Sequence, residues 1–190
     1  MEPNERKIPD LMYRVAVGAL LFLVALLVGI STAHAVEIVP SVGVTKATTD
    51  GAETQKIYGL ALRGSMAPML RHETAIGYRS EELYNGDLKV TMVPITGSVW
   101  FAPLPVIYAG GGVGIYATSL TYRDVLLIPN TTKTSVGAHL GGGLNIPLAP
   151  MIAIDLNTRY VYMEEHATGL SQGKFDPDFW STSAGIAIKF

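Results

Sequence analysis

The chain has 190 residues and is 48% hydrophobic but only 16% charged, with 14 Lys and Arg against 16 Asp and Glu. The large apolar fraction excludes a disordered chain, and a net charge of −2 without a basic cluster argues against a partner that is nucleic acid. Because the chain contains no cysteine, it holds neither a disulfide framework nor a thiolate metal site. We predict no cofactor and no metal site.

The N-terminal residues 1–35 have the organisation of a secretory signal peptide. Arg14 precedes an uncharged, strongly apolar run over residues 15–30, and small residues follow it at Ala33 and Ala35. Signal peptidase cleaves after small residues in this spacing. We therefore predict export through the inner membrane and cleavage after Ala35.

Two alternatives concern this N-terminal segment. A transmembrane anchor would also be apolar, but the uncharged run is shorter than the span of about 20 residues that a membrane helix needs. Translation from Met12 instead of Met1 would give the signal peptide a shorter and more positively charged start, because the residues before Met12 include three acidic ones.

The remaining residues, 36–190, show alternating apolar and polar positions and no helical periodicity, which is typical of strands with two different faces. The alternating segments are residues 36–45, 58–66, 70–79, 88–100, 106–116, 135–146, 152–162 and 180–190. Segments of this length can cross a bilayer when tilted, and a sheet in lipid must close on itself to satisfy its backbone. We predict an all-β fold: an eight-stranded antiparallel up-and-down transmembrane β-barrel, preceded by the helical signal peptide. A soluble sandwich would alternate similarly, but with the apolar face inside.

The connections between these segments alternate in length. Short proline-containing turns follow the second, fourth and sixth strands, and longer polar connections follow the first, third, fifth and seventh, at residues 47–56, 80–87, 123–133 and 164–178. Outer-membrane barrels have short periplasmic turns and long external loops. This asymmetry predicts that both ends of residues 36–190 lie in the periplasm.

Three segments resemble a known family. The chain ends at Phe190, with Ile188 and Ile186 at alternate positions before it, which resembles the C-terminal signature of bacterial outer-membrane proteins. Residues 105–114, PVIYAGGGVG, and 155–160, DLNTRY, resemble the fifth and seventh strands of small outer-membrane barrels. In the family pattern Tyr directly follows Pro, whereas Val106 and Ile107 separate the two in this chain. That family includes OmpA-like transmembrane domains and opacity-type surface antigens, with OmpW-like barrels as near relatives.

The resemblance implies a location and several partners. It implies the outer membrane of a Gram-negative cell, contact with outer-membrane lipid and lipopolysaccharide, and recognition of the C-terminal residues by the barrel-assembly machinery. The functions within the family are diverse, and they include envelope integrity, adhesion and passage of small solutes. The resemblance therefore predicts the location of the protein better than its activity.

The predicted inner face carries many polar side chains, namely Glu37, Arg63, Arg71, Glu73, Arg79, Lys89, His139, Asp155, Asn157, Arg159 and Lys189. An eight-stranded barrel is just wide enough for side chains to fill, and buried charges must be paired. We predict a salt-bridged plug, and a narrow gated or leaky pore is the alternative. Lys89 is placed inside because Leu88, Val90 and Met92 are assigned to the lipid face.

Glycines and aromatic residues complete the pattern. Inward glycines at positions 110, 112, 114, 137, 141 and 143 are expected to make room for neighbouring Arg and Tyr side chains. The aromatic residues near strand ends are expected to form interfacial girdles, and they are Tyr58, Tyr78, Trp100, Phe101, Tyr160, Tyr162, Trp180 and Phe190.

These observations favour a non-enzymatic envelope or surface protein. Its external loops, above all residues 123–133 and 164–178, are expected to contact an external ligand or a host surface. The first alternative is a small porin or an OmpW-like channel for small or hydrophobic solutes. The second is a lipid A-modifying enzyme, but no serine could be assigned as a nucleophile beside His139 or His166.

Overall fold

A computed structural model of the chain describes residues 36–48, 53–83, 88–122, 131–163, 166–167, 174–175 and 178–190. The predicted signal peptide, with its cleavage after Ala35, lies outside the described residues. The same is true of residues 123–130 and of most of the segment 164–178. Among the residues that are described, no helix is long and apolar enough to cross a membrane.

Ten strands occur in the described residues: β1 (Val36–Ala47), β2 (Thr54–Ala67), β3 (Leu70–Leu83), β4 (Leu88–Phe101), β5 (Ile107–Tyr122), β6 (Thr131–Ala149), β7 (Ile152–Met163), β8 (His166–Ala167), β9 (Lys174–Phe175) and β10 (Phe179–Lys189). Eight of them form a closed barrel in the order β1-β10-β7-β6-β5-β4-β3-β2, and every neighbouring pair is antiparallel. The short strands β8 and β9 pair separately with each other. The predicted eight-stranded barrel is thus confirmed.

The strand register shows how far the strands are staggered. A path perpendicular to the strands starts at Glu37 and passes through Arg63, Glu73, Ser98, Gly112, His139, Val161 and Phe179. It returns to β1 at Ala47, ten residues beyond its start. Eight strands with this stagger must tilt strongly against the barrel axis, and the interior is narrow.

The two ends of the barrel differ. At one end, called here the turn end, Pro68 and Met69 join β2 to β3, residues 102–106 join β4 to β5, and Pro150 and Met151 join β6 to β7. The backbone N–H of Phe190 donates a hydrogen bond to the carbonyl of Val36 at this end, 2.9 Å away, and so ties the last residue to the first strand. The opposite end, called the loop end, carries the connections 48–53, 84–87, 123–130 and 164–178, and all but 84–87 are longer than any connection at the turn end.

The outer face of the barrel is apolar, as the alternation predicts. Large apolar side chains exposed there include Val42, Leu60, Val113, Val136, Leu140, Leu156, Ile186 and Ile188. The aromatic side chains of Tyr58, Tyr78, Phe101, Tyr162, Trp180 and Phe190 are exposed as well. Tyr160 is partly buried because its ring packs against that of Trp180, with the centroids 5.1 Å apart.

In the first half of β4 the predicted faces are reversed, and Trp100 at the end of the strand also faces inward, which makes two assignments wrong. Met92 packs against buried residues on the inner face, and Trp100 is fully buried there as well. Lys89, three residues before Met92, is exposed and lies on the outer face, so Lys89 is not a lumen residue and Trp100 is not a girdle residue. The inner layer at the loop end is itself apolar, so hydrophobicity does not distinguish lumen from lipid in this strand.

The register between β1 and β10, the two strands whose pairing closes the barrel, can be tested with a disulfide. Thr45 lies opposite Ser181. Val36 and Phe190 form a hydrogen-bonded pair between the same two strands, and such pairs alternate with non-hydrogen-bonded ones. Because Thr45 is an odd number of residues from Val36, it belongs to a non-hydrogen-bonded pair. Such a non-hydrogen-bonded pair has Cα atoms about 4.5 Å apart, within the range a disulfide spans. We expect the double variant Thr45→Cys, Ser181→Cys to form a disulfide on mild oxidation, detected by mass spectrometry of proteolytic peptides.

The control for this disulfide is the pair Thr45→Cys, Ser183→Cys, which is offset by two residues on the same face. Its sulfur atoms start farther apart, so we expect slower and less complete oxidation. Faster oxidation of the offset pair would contradict the register.

Candidate functional site: the polar lumen

Arg63 lies at the centre of a buried polar network near the turn end. Its side chain is 2% exposed, and its guanidinium group faces two carboxylates. Nε and Nη2 donate to Glu73 Oε2 at 3.1 and 2.7 Å, and Nη1 donates to Asp155 Oδ2 at 2.8 Å. A planar guanidinium satisfies two carboxylates in this way, whereas the ammonium of lysine has no such fork.

Tyr108 and Asn157 extend the network across the lumen. The hydroxyl of Tyr108 donates to Asp155 Oδ1 at 2.9 Å, and Nδ2 of Asn157 donates to the Tyr108 hydroxyl oxygen at 3.1 Å. The guanidinium carbon of Arg63 is also 4.8 Å from the centre of the Tyr108 ring. Tyr108 thus joins β5 to the charged groups and to Asn157 on β7, a role that its position in the glycine-rich fifth strand did not indicate.

Arg159 forms the upper edge of the network, facing the loop end. Its Nη2 donates to Glu73 Oε1 at 2.7 Å, and its Nε donates to Asn157 Oδ1 at 2.6 Å. Its guanidinium carbon is 5.0 Å from the centre of the Trp100 ring. Glu73 therefore binds two arginines, Arg63 on one oxygen and Arg159 on the other.

Glu37 lies at the lower edge of the network, next to the seam between β1 and β10. Its oxygens are 3.5 Å from Lys189 Nζ, 3.6 Å from Arg63 Nη1 and 4.0 Å from Arg71 Nη1. All three contacts are longer than the central ones, and the side chains of Arg71 and Lys189 are 21% and 33% exposed, so their pairs with Glu37 are weaker than the central pairs.

Two predicted lumen residues on the inner face lie outside this network. The guanidinium carbon of Arg79 is 5.5 Å from the centre of the Phe179 ring, near the loop end. His139 Nε2 is 2.9 Å from the hydroxyl oxygen of Ser98, which sequence reasoning had not identified as a partner. The two are linked by the register, because Gly112 lies between them on β5 and has no side chain to separate them.

Serine and histidine are the residue types that serve as nucleophile and base in many hydrolases, but the pair of Ser98 and His139 lacks the third group that orients the base. In the part of the chain that is described, Nδ1 of His139 has no hydrogen-bond partner, so no carboxylate orients the ring. Both side chains are buried, with exposures of 5% and 2%. The described residues also contain no group of three or more His, Asp or Glu side chains placed to hold a metal ion.

Above the network, towards the loop end, the lumen is closed by apolar side chains. Tyr116, Val161, Met163 and Phe179 are buried together, and the rings of Tyr116 and Phe179 meet edge to face at 6.3 Å. Nearby, Asp178 accepts hydrogen bonds from the Tyr160 hydroxyl at 2.6 Å and the Met163 backbone N–H at 2.9 Å. Asp178 thereby fixes the start of β10 to the end of β7, although the sequence placed it in a loop.

Inward glycines provide the space for these large side chains. A Cβ atom on Gly143 would lie 2.5 Å from both Cζ and Oη of Tyr108, and one on Gly141 would lie 3.1 Å from Cγ of Arg159. A Cβ on Gly137 would lie 2.9 Å from the Tyr116 ring. The expected relief of crowding is therefore present at Gly143 and Gly137, since real Cβ atoms essentially never come within 3.0 Å of another atom, and the contact at Gly141 is tight. Each of these Cβ atoms would also meet a backbone carbonyl oxygen of β7.

Replacing Arg63 tests the contribution of the central pair. Arg63→Met leaves the buried carboxylates of Glu73 and Asp155 facing each other with one cation fewer, so we expect a loss of about 3–5 kcal/mol in the free energy of unfolding. The measurement is urea-induced unfolding of the refolded protein in lipid vesicles. Arg71→Met is the control, and its distant, partly exposed contact predicts a loss of at most about 1 kcal/mol. Equal losses in the two variants would contradict this assignment.

A matched pair of glycine substitutions tests the packing argument. Gly143→Ala forces the Tyr108 ring and the Leu156 backbone carbonyl to move, and we expect a loss of about 1–3 kcal/mol in the free energy of unfolding. Gly97 has open space around the position of a Cβ atom, so Gly97→Ala should be neutral or stabilising by up to about 1 kcal/mol. If both variants behave alike in the same urea titration, crowding at Tyr108 is not the reason for the glycine.

Comparison with known proteins agrees with this architecture. A family model described as outer membrane protein beta-barrel domain matches residues 17–188. No curated protein sequence matches the chain.

Several solved structures share the fold. Ail, the attachment invasion locus protein of Yersinia pestis, has 13% sequence identity and a TM-score of 0.57, and the match covers 82% of this chain and 98% of Ail. Neisserial surface protein A has 16% identity and a TM-score of 0.58 over 82% of this chain and 99% of its own. OprG from Pseudomonas aeruginosa has 14% identity and a TM-score of 0.51 over 83% and 97%. Identities this low show a common fold alone, but the match to the family model spans most of the chain. The chain therefore belongs to the outer membrane protein beta-barrel domain family, and it is a closed eight-stranded barrel of the outer membrane.

Proposed function

We propose that this protein is a non-conducting, non-enzymatic barrel that serves the outer membrane as a structural or surface-contact protein. The observation that carries the proposal is the salt-bridged network around Arg63. It joins β2 to β3 and β7 through the centre of the lumen, and its central side chains are almost completely buried. A solute could pass this layer only if paired charges separated, which is costly in a narrow interior.

The apolar layer near the loop end supports the same proposal. Tyr116, Val161, Met163 and Phe179 fill the lumen on the other side of the network. A path for ions would need polar groups or water along its whole length, and this layer offers buried apolar side chains instead. The lumen is therefore obstructed twice along its length, once by the salt-bridged layer and once by the apolar layer.

If the lumen does not conduct, the contacts that matter are on the outside of the barrel. We propose that residues 123–133 and 164–178 contact an external ligand or a host surface. One structural neighbour, Ail, carries attachment and invasion in its name and has been crystallised with the heparin analogue sucrose octasulfate, at 14% identity and a TM-score of 0.55. We also propose that lipopolysaccharide and other lipid cover the exposed apolar face.

The C-terminal residues support a further part of the proposal. Ile186, Ile188 and Phe190 are all exposed on the outer face of the last strand, so a protein that binds the unfinished barrel edge can reach them. We propose that they form the signal read by the barrel-assembly machinery. Secretion through a signal peptide cleaved after Ala35 belongs to the same proposal.

A small channel is the second candidate, because a cavity of about 90 Å³ remains in the middle of the lumen, between the two layers. Single-channel recording in planar bilayers separates the two functions. We expect protein that shows the heat-dependent gel shift of a folded barrel to give no discrete current steps under any applied voltage.

The contradictory result is a set of reproducible steps whose ion selectivity changes in Arg159→Gln, because Arg159 borders the cavity. That outcome would make the lumen a pore and the charged residues its selectivity elements. Steps that Arg159→Gln leaves unchanged would also overturn the non-conducting barrel.

A further inference from the structure

The cavity in the middle of the lumen has two chemically different walls. On β7, β10 and β1 it is lined by polar side chains, namely Asn157, Arg159, Ser181, Ser183 and Ser41. On β2, β3 and β4 the lining is mostly small or apolar and includes Ala61, Ala75, Gly77 and Pro94. Thr96, Tyr116 and His139 add polar groups from β4, β5 and β6, but the cation and the three serines lie together on β7, β10 and β1.

The electrostatic character of this cavity is positive. Among the described residues that line it, Arg159 carries a permanent charge and none has a carboxylate. Arg159 uses Nε and Nη2 for its bonds to Asn157 and Glu73, and its Nη1 makes no hydrogen bond to any of the residues that the structure describes. The network below does not supply an extra negative charge, since its three carboxylates, Glu37, Glu73 and Asp155, face four cations, Arg63, Arg71, Arg159 and Lys189.

The register places two serines next to Arg159 and Asn157, and all four residues line the same cavity. Ser181 lies directly opposite Arg159, and Ser183 lies directly opposite Asn157, both on the inner face. Opposite residues in an antiparallel pair have Cβ atoms about 4.5–5.5 Å apart, so one small ligand can contact both side chains. A serine hydroxyl can rotate to donate its hydrogen to whatever acceptor is present.

We propose that this cavity binds a small inorganic anion or monocarboxylate between Arg159 Nη1 and the hydroxyls of Ser181 and Ser183. A cation with a vacant donor, hydroxyl donors and a wall without carboxylates together favour an anion over a cation. The volume of about 90 Å³ is sufficient for an ion of the size of chloride or acetate. A single water requires only about 10–15 Å³ of such space.

This binding site goes beyond the proposed function and does not depend on it. A bound anion would balance the excess positive charge of the lumen and would hold β7 and β10 together through the side chains that face it. It requires neither conduction nor an external ligand.

Line broadening in ³⁵Cl NMR tests the proposal, with chloride as the ligand and the refolded protein in uncharged detergent micelles. We expect excess broadening that acetate removes by competition. In the double variant Ser181→Ala, Ser183→Ala, we expect chloride affinity to fall by about tenfold or more, because hydrogen bonds to a charged group are lost. This variant keeps every bond of Arg159 to Glu73 and Asn157, so the network below should stay intact.

The matched control for charge is Lys56→Gln, which removes one exposed cation from the outer face of β2. It should leave the broadening unchanged, whereas Arg159→Gln should abolish it in protein that retains the heat-dependent gel shift. Broadening that is absent in the wild type, or equal in the wild type and the serine variant, would overturn the anion site. If the broadening falls as much in Lys56→Gln as in Arg159→Gln, chloride binds to charges on the protein surface, and the proposal is overturned as well.

Discussion

The structure depends on the burial of one guanidinium group among carboxylates that come from different parts of the chain. Arg63 binds Glu73, ten residues away on the neighbouring strand, and Asp155, 92 residues away across the lumen. Each group taken alone would be very costly to bury in so narrow an interior, and only the closed barrel brings all three together. The network is therefore a consequence of closure, and its loss would leave unpaired charges that the lumen cannot solvate.

The same narrow interior explains the glycines. Tyr108, Arg159 and Tyr116 are too large to fit unless the strand beside each of them has no side chain at that level, and Gly143, Gly141 and Gly137 lie at those positions on β6. Glycine weakens a strand by about 0.5–1 kcal/mol relative to alanine. In β5 and β6 this loss is offset, because the space that the glycines leave is occupied by side chains that form ion pairs or close the lumen.

The alternation of residues predicted the two faces of seven barrel strands, because lipid outside and a polar layer inside differ strongly in chemistry. It failed in β4, where Met92 and Trp100 face inward among other apolar side chains and Lys89 faces outward at the loop end. The contacts between strands were also beyond prediction, since they depend on the stagger. Ser98 reaches His139 only because the register places Gly112 between them, and a list of residues on each strand does not contain that information.

The position of Glu37 links the network to the closure of the barrel. Glu37 is on the first strand, and its oxygens are within 4.0 Å of Lys189 on the last strand and of Arg63 and Arg71 on the next two. The backbone bond from Phe190 to Val36 lies directly beside this cluster. While the seam is open, Glu37 has no contact with Lys189, and the charges around it are only partly compensated. Completion of the seam thus adds the pair of Glu37 and Lys189 to the last backbone hydrogen bonds, and both contributions favour a fully closed barrel over one that is open at a single edge.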